Sequence, residues 1–257
     1  MTIVAISGQL NAGKDVVADC FVWEGYTKIA LADPMKRLAY DAFDFSEDQL
    51  WGPSHSRNEV DYRFSDRSFW EISELCLQYS GPKWLKTVLS EDDKVFFSYA
   101  LLYLNDWFYS LQKSQEPLTP RVVLQKLGTE FGRDVLGPEV WLDYFRRTIL
   151  ALKENPGRGY NRVVGVCAAS PDEDVSKIVV TDVRFNNELA YFRDKLGAKL
   201  LYVNRPQAAV NLSSSVLNHA SEQDQNGFDL SKFDAIVNNH GTLEELVVEA
   251  TELAKTY

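Results

Sequence analysis

The sequence predicts an α/β protein: an open, mostly parallel sheet with helices on both faces and a largely helical insertion in its middle. Three observations carry this expectation. Apolar strand-like runs alternate with helical periodicity at both ends of the chain. A glycine-bearing loop joins the first run to the first helical pattern, and residues from about 45 to 115 lose the alternation and fill with Trp, Tyr and Phe.

Thr2 to Ser7 (TIVAIS) is short, β-branched and apolar, with Gly8 as its boundary, and reads as a buried parallel strand. From Lys14 to about Trp23 the residues Val17, Cys20, Phe21 and Glu24 fall at helical spacing, and Gly25 supplies a stop. Thr27 to Leu31 is a second strand, and Pro34 opens a helix through about Phe43, since proline suits the first turn. Beyond the aromatic middle, Thr119 to about Phe131 and Pro138 to about Leu152 predict two helices, followed by a Pro- and Gly-bearing loop from Asn155 to Gly159. Ile178 to Thr181 is a strand, Phe185 to Leu196 a helix stopped by Gly197, and Lys199 to Val203 the next strand. A polar loop runs from Asn204 to about Asp229. Asp234 to Asn238 is then a last strand, and Thr242 with Glu245 forms a capping box that starts the closing helix.

A chain of 257 residues, 45% hydrophobic and 12% aromatic, can bury a full core. Its longest apolar stretches, such as Phe96 to Leu104, fall well short of the roughly 20 residues a membrane span needs. No membrane span and no export signal are expected, because Met1 to Ile6 reads as a strand. Cys20, Cys76 and Cys167 are odd in number and far apart, which suits reduced thiols and a cytoplasmic location. The three histidines show no metal-ligand spacing. A net charge of -10 repels nucleic acid, so no direct nucleic-acid binding is expected and any phosphate-binding charge must be local. The segment Glu116 to Arg162 is such a place, with eight Lys or Arg against six Asp or Glu.

Gly8, Gln9, Leu10, Asn11, Ala12, Gly13 and Lys14 fit G-x-x-x-x-G-K. The glycines permit a path that aims successive N–H groups at phosphate oxygens, Lys14 adds a point charge, and the helix that follows favours the same anion at its N-terminus. The match lies directly after a strand and directly before a helix, as that mechanism requires, so the fold is expected to be of the P-loop NTPase type. Asp15 stands where Ser or Thr would bring a hydroxyl to Mg²⁺. Its carboxylate either ligates the ion, directly or through water, or caps the helix.

The chain resembles the bacteriophage deoxynucleoside monophosphate kinases. The resemblance rests on SGQLNAGKD (Ser7 to Asp15), LADPMKRLAY (Leu31 to Tyr40), LQKLGTEFGRD (Leu124 to Asp134), VVTDVRFNNE (Val179 to Glu188), VNRP (Val203 to Pro206), NHASE (Asn218 to Glu222) and the closing VNNHGTLEEL. It covers most of the chain but not residues 45 to 115. It implies transfer of the γ-phosphoryl group of ATP, with Mg²⁺, to a deoxynucleoside monophosphate. A kinase for another phosphorylated metabolite and a nucleotide-binding module without activity are the alternatives.

Phosphoryl transfer needs positioning and neutralised charge more than a covalent residue. The resemblance therefore implies catalytic roles for Lys14, Arg121, Arg184 and Asp182. Asp182 holds Mg²⁺ through water or orients the acceptor, or else caps the next helix; the two arginines are otherwise solvated helix-end residues. Donor-binding residues are Gly8, Asn11, Ala12, Gly13, Lys14 and Asp15, with Arg205 and Pro206 packing on adenine. Asp33 and Arg37 are the acceptor candidates, Asp33 alternatively a helix cap. His219 and Glu222 match the resemblance without a derivable task. The expected organisation is one kinase domain, 1–257, with residues 45–115 as an acceptor-binding helical insertion and 116–162 as a lid-like helical segment. A homodimer is compatible with all of this.

Overall fold

The computed structural model describes residues 1–89, 94–114, 117–155, 157–169, 175–206 and 227–257. His219, Glu222 and most of the polar loop after Asn204 lie outside them. In chain order the elements begin with β1 (Thr2–Ser7), α1 (Lys14–Trp23), β2 (Thr27–Ile29), α2 (Asp33–Phe43), α3 (Glu47–Trp51), α4 (Ser54–Asn58), α5 (Arg67–Val88) and α6 (Lys94–Gln112). They continue with α7 (Pro120–Lys126), a π-helix (Leu127–Leu136), α8 (Val140–Glu154), β3 (Arg158–Asn161), β4 (Gly165–Ala168), β5 (Lys177–Val180), α9 (Asn186–Asp194), β6 (Lys199–Asn204), β7 (Ala235–Asn238) and α10 (Leu243–Thr256). Two compact units emerge: Met1–Leu31 with Ile149–Arg162 and Val166–Tyr257, and Ala32–Thr148 with Val163–Gly165.

The first unit is built on a five-stranded sheet of order β2-β5-β1-β6-β7. Every pairing in it is parallel, with Val4 opposite Val179 and Ile6 opposite Leu201. This is the expected α/β architecture. Ile3, Val4, Ala5 and Ile6 are all buried, as strands covered on both faces must be. Val17, Ala18, Cys20 and Phe21 of α1 join Leu246, Ala250 and Ala254 of α10 in one cluster with Val4, Ile6, Val179 and Val203. Each fully buried residue of Val or Phe size stabilises this cluster by about 1.5–3 kcal/mol. The small alanines let the two helices approach. Because β1 has β5 on one side and β6 on the other, its carboxyl end is the point where the strand order reverses, and ligands bind such sheets there.

The second unit is helical. Phe43, fully buried at the end of α2, has ring neighbours Phe45, Phe69, Trp70, Trp107 and Phe108 at centroid distances of 5.6–6.4 Å. Trp84 of α5 donates from its indole to Pro34 O at 2.6 Å, which locks α5 to the first turn of α2. Phe45, Trp70, Trp84, Trp107 and Phe108 of the middle segment are therefore core, whereas Tyr62, Tyr79, Tyr99, Tyr103 and Tyr109 are exposed.

Two local expectations differ from the structure. The helix expected from Thr119 is α7 only to Lys126 and a π-helix from there to Leu136, with Gly137 N donating to Gly132 O. The loop expected at Asn155 to Gly159 is partly strand, since β3 and β4 pair in a separate two-stranded sheet. Among the described residues no helix is long and apolar enough to cross a membrane, and no group of three or more His, Cys, Asp or Glu could hold a metal ion.

Candidate active site

In the first unit the loop from Gly8 to Gly13 leaves β1 and opens α1. Gly8 has φ 142° and Gly13 φ 100°, values that a side chain strains against, and a Cβ at Gly8 would collide with the carbonyl oxygen of Val203. Asn11 takes φ 62°, which Asn tolerates better than most residues. The loop closes on itself through Ala12 N donating to Gln9 O at 3.1 Å. The Lys14 ammonium lies across its mouth, donating to Gly8 O and to Gln9 O, the latter at 2.7 Å.

Asp15 lies in the first turn of α1 and is largely exposed. Its carboxylate pairs with Lys28 of β2 at 3.3 Å, and Lys28 also holds Asp19 at 3.0 Å. Past the end of β5, the half-buried Asp182 accepts from Leu31 N at 2.8 Å and so joins the exits of two adjacent strands. The next residue is held by β1: Val183 N donates to Ile6 O at 3.3 Å, and the buried Ser7 hydroxyl donates to Val183 O at 2.7 Å. This pair of bonds places the D-x-R segment beside the start of the phosphate loop. Arg184 sits at the entry of α9, where Glu188, only 3% exposed, accepts from Arg184 N at 2.8 Å and Phe185 N at 3.1 Å. Glu188 thus caps α9. Arg205, past the end of β6, reaches the same loop from the other side, its Nη1 donating to Asn11 O at 3.3 Å; Pro206 follows it, exposed.

The helical unit holds the other candidates. Asp33 is 2% exposed and accepts from the Trp51 indole at 3.0 Å. It lies inside α2, whose N-cap is Ala32. Trp51 has Lys36 Nζ at 5.7 Å from its ring centroid and the Tyr40 ring at 6.5 Å. Arg37 donates to the Tyr144 hydroxyl at 2.5 Å and lies 5.8 Å from that ring's centroid, while a Cβ at Gly165 would come within 3.0 Å of its guanidinium. Arg121 is 8% exposed, and its Nε donates to Asn58 Oδ1 at 2.5 Å.

The structure therefore gathers Gly8, Asn11, Ala12, Gly13, Lys14, Asp182, Arg184 and Arg205 at the carboxyl ends of β1, β5 and β6. It gives Asp33 and Arg37 one helix, α2. Sequence motifs do not single out the residues that hold these in place: Ser7, Lys28, Trp51, Tyr144, Glu188 and, at the end of β7, Asn239. Only Glu188, three residues past the helix entry at Phe185, carries a local signal.

The helical unit also contains an open cavity of about 550 Å³ lined by residues that include Tyr40, Phe45, Asp61 and Arg63. There burial raises the Asp61 carboxyl, but hydrogen bonds and charge from Arg63, as close as 2.6 Å, outweigh it and hold the group below the usual carboxylate range.

Comparison with known proteins gives one family and two relatives. The model of the deoxynucleotide monophosphate kinase family matches residues 2–249. The deoxynucleoside-5′-monophosphate kinase of Escherichia phage T5 is 24% identical over 208 residues, which cover 75% of this chain and 72% of the relative. A protein of Acanthamoeba polyphaga mimivirus, named as a deoxynucleotide monophosphate kinase, is 22% identical over 254 residues, 95% of this chain and 92% of the relative.

Proposed function

We propose, because the chain belongs to the deoxynucleotide monophosphate kinase family, that the loop from Gly8 to Lys14 holds the phosphoryl donor and that Asp33 and Arg37 of α2 serve the acceptor. The reaction is transfer of the γ-phosphoryl group of ATP to a deoxynucleoside 5′-monophosphate, giving the diphosphate. An acceptor phosphate oxygen bonds to the γ-phosphorus as the bond to the β,γ-bridging oxygen breaks, and ADP leaves with that electron pair.

Lys14 exchanges its bonds to Gly8 O and Gln9 O for phosphate oxygens when ATP enters, and the loop N–H groups bind the remaining donor oxygens. Arg184 and Arg121 contact the transferring phosphates. Arg37, braced by Tyr144, meets the acceptor phosphate, and Asp33 orders the acceptor pocket from α2. Arg205 and Pro206 line the adenine. Asp15 and Asp182 would hold Mg²⁺, and as a donor set they fit it: two carboxylates beside a phosphate loop, the other positions left to phosphate oxygens and water. Held there, Mg²⁺ would supply positive charge against the negative charge of the phosphates.

Residues 45–115 serve as the acceptor-binding insertion and 116–162 as a lid-like segment of a single kinase domain. The protein works in the cytoplasm, of the host if phage-encoded, a reading that its three free cysteines support. The observation that carries the proposal is the phosphate loop at the carboxyl end of β1 with the D-x-R segment bonded to Ser7 and Ile6. A phosphotransfer assay across a panel of deoxynucleoside and nucleoside monophosphates tests it. ADP release that depends on at least one deoxynucleotide is expected; release with none of them sinks the proposal.

A further inference from the structure

We infer that Asn239 is a positioning residue for the donor phosphates, acting by turning the carbonyl of Ala12 out of the phosphate cradle. The inference rests on the reading of Gly8 to Lys14 as the donor loop. A loop that aims successive N–H groups at an anion must send the intervening carbonyls the other way, and each then needs a donor of its own. The donors are visible. Lys14 takes Gly8 O and Gln9 O, Arg205 takes Asn11 O at 3.3 Å, and Asn239 Nδ2 takes Ala12 O at 2.9 Å.

Of these three, Asn239 is placed to stay. Lys14 exchanges its partners when phosphate arrives, and Arg205 sits on an exposed turn. Asn239 is half-buried, and its own backbone N donates to Asn204 O at 2.8 Å, extending the β6 to β7 ladder by one residue. The Asn204 side chain in turn donates to Asn238 Oδ1 at 3.1 Å. Asn239 also lies against the turn into α1: a Cβ at Gly13 would fall 2.8 Å from Asn239 Nδ2 and 3.3 Å from Leu246 Cδ2. Gly13 is thus required by its φ of 100° and again by the amide packed on it. The end of β7 thereby sets the shape of a loop that leaves β1, two strands away.

The test measures binding of tripolyphosphate and of adenosine to the full chain by calorimetry, with steady-state kinetics for both substrates. In Asn239→Ala, tripolyphosphate affinity should fall about tenfold and the KM for ATP rise about as much, the size of one lost hydrogen bond in a partly buried site. Adenosine affinity, the KM for the acceptor and the thermal midpoint should hold. Asn239→Asp, nearly isosteric, sets a carboxylate against the Ala12 carbonyl and should lose more, about a hundredfold. Lost adenosine affinity with tripolyphosphate binding intact would make Asn239 a base contact and overturn the inference; so would parallel losses in both substrates and in the thermal midpoint. Lys14→Ala is the control for the loop itself. It should abolish turnover and tripolyphosphate binding without unfolding the chain. If it does and Asn239→Ala binds normally, only this inference falls; if Lys14→Ala also binds tripolyphosphate normally, the donor-loop reading falls with it.

Discussion

Lys14 and Asp15 are neighbours whose legibility differs for a physical reason. Lys14 belongs to a motif because backbone geometry dictates it: only glycine, or less readily asparagine, accepts the positive φ values at Gly8, Asn11 and Gly13. Such positions are written locally, so the loop is legible in the amino-acid sequence alone. The partner of Asp15 is not. Lys28 reaches it because β2 lies beside β5 and its exit is tied to Asp182, a tertiary arrangement that no spacing encodes. The pair is exposed on the Asp15 side, at 68%, and contributes little stability, about 0–1 kcal/mol for such bridges. Asp15→Asn should therefore leave the thermal midpoint within about 4 °C. Its effect is expected in the Mg²⁺ dependence of turnover, shifted to higher concentration by the loss of one carboxylate. A Mg²⁺ titration identical to wild type would leave Lys28 as the working partner of Asp15 and remove it from the ion site.

At the scale of elements, buried parallel strands and capped helices are readable because each is a local pattern, whereas the π-helix is not. Helical spacing from Thr119 predicts an ordinary helix, and α7 begins as one, with Thr119 capping Val122 N. The widening from Leu127 onward accompanies two close approaches. Trp141 donates from its indole to Gly128 O at 3.0 Å, and a Cβ at Gly132 would collide with the Trp141 ring. A Cβ at Gly128 would meet Met35 Sδ at 2.6 Å. The two glycines of LGTEFGRD are thus explained by packing, which the motif alone does not reveal. Gly132→Ala should cost about 1–3 kcal/mol as an overpacked core site, read as a lower denaturation midpoint; an unchanged midpoint would show that Trp141 can move aside freely. The Asp61–Arg63 pair gives a pH prediction at the same scale. The folded pKa of Asp61 is depressed, so its stabilisation is present above the unfolded value of about 3.9 and is lost as pH falls through the folded one. The stability difference between wild type and Asp61→Asn should be constant near neutrality and shrink below about pH 4. A difference that stays constant down to pH 2 would mean the charge of Asp61 does not stabilise the fold.

For the whole molecule, the alternation of strands and helices at both ends discloses the sheet, while the middle discloses only that it is aromatic and helical. Its internal order depends on non-local ring packing around Phe43, for which periodicity has no signature. That packing accounts for Trp70, Trp107 and Phe108, and Trp84 packs on Phe131 and Trp141, yet α5 and α6 also carry large apolar side chains outward: Ile72, Leu75 and Tyr79 on one, Val95, Tyr99, Leu102 and Tyr103 on the other, each at least half exposed. Helices apolar on two faces are expected where a second surface is covered in some functional state. A kinase must keep water from the γ-phosphoryl group while it moves, and segments that close on substrate binding are the general means. Residues 45–115 are accordingly expected to gain hydrogen-exchange protection when ATP and a deoxynucleoside monophosphate are bound together, by more than with either nucleotide alone. The increase should be concentrated in α3, α5 and α6, with the sheet strands, already protected, changing little. Equal protection of residues 45–115 with and without both nucleotides would reject closure of the acceptor-binding insertion on its substrates and leave it as scaffold or as a subunit interface. In the latter case the same exchange rates would fall with rising protein concentration instead of with added nucleotide.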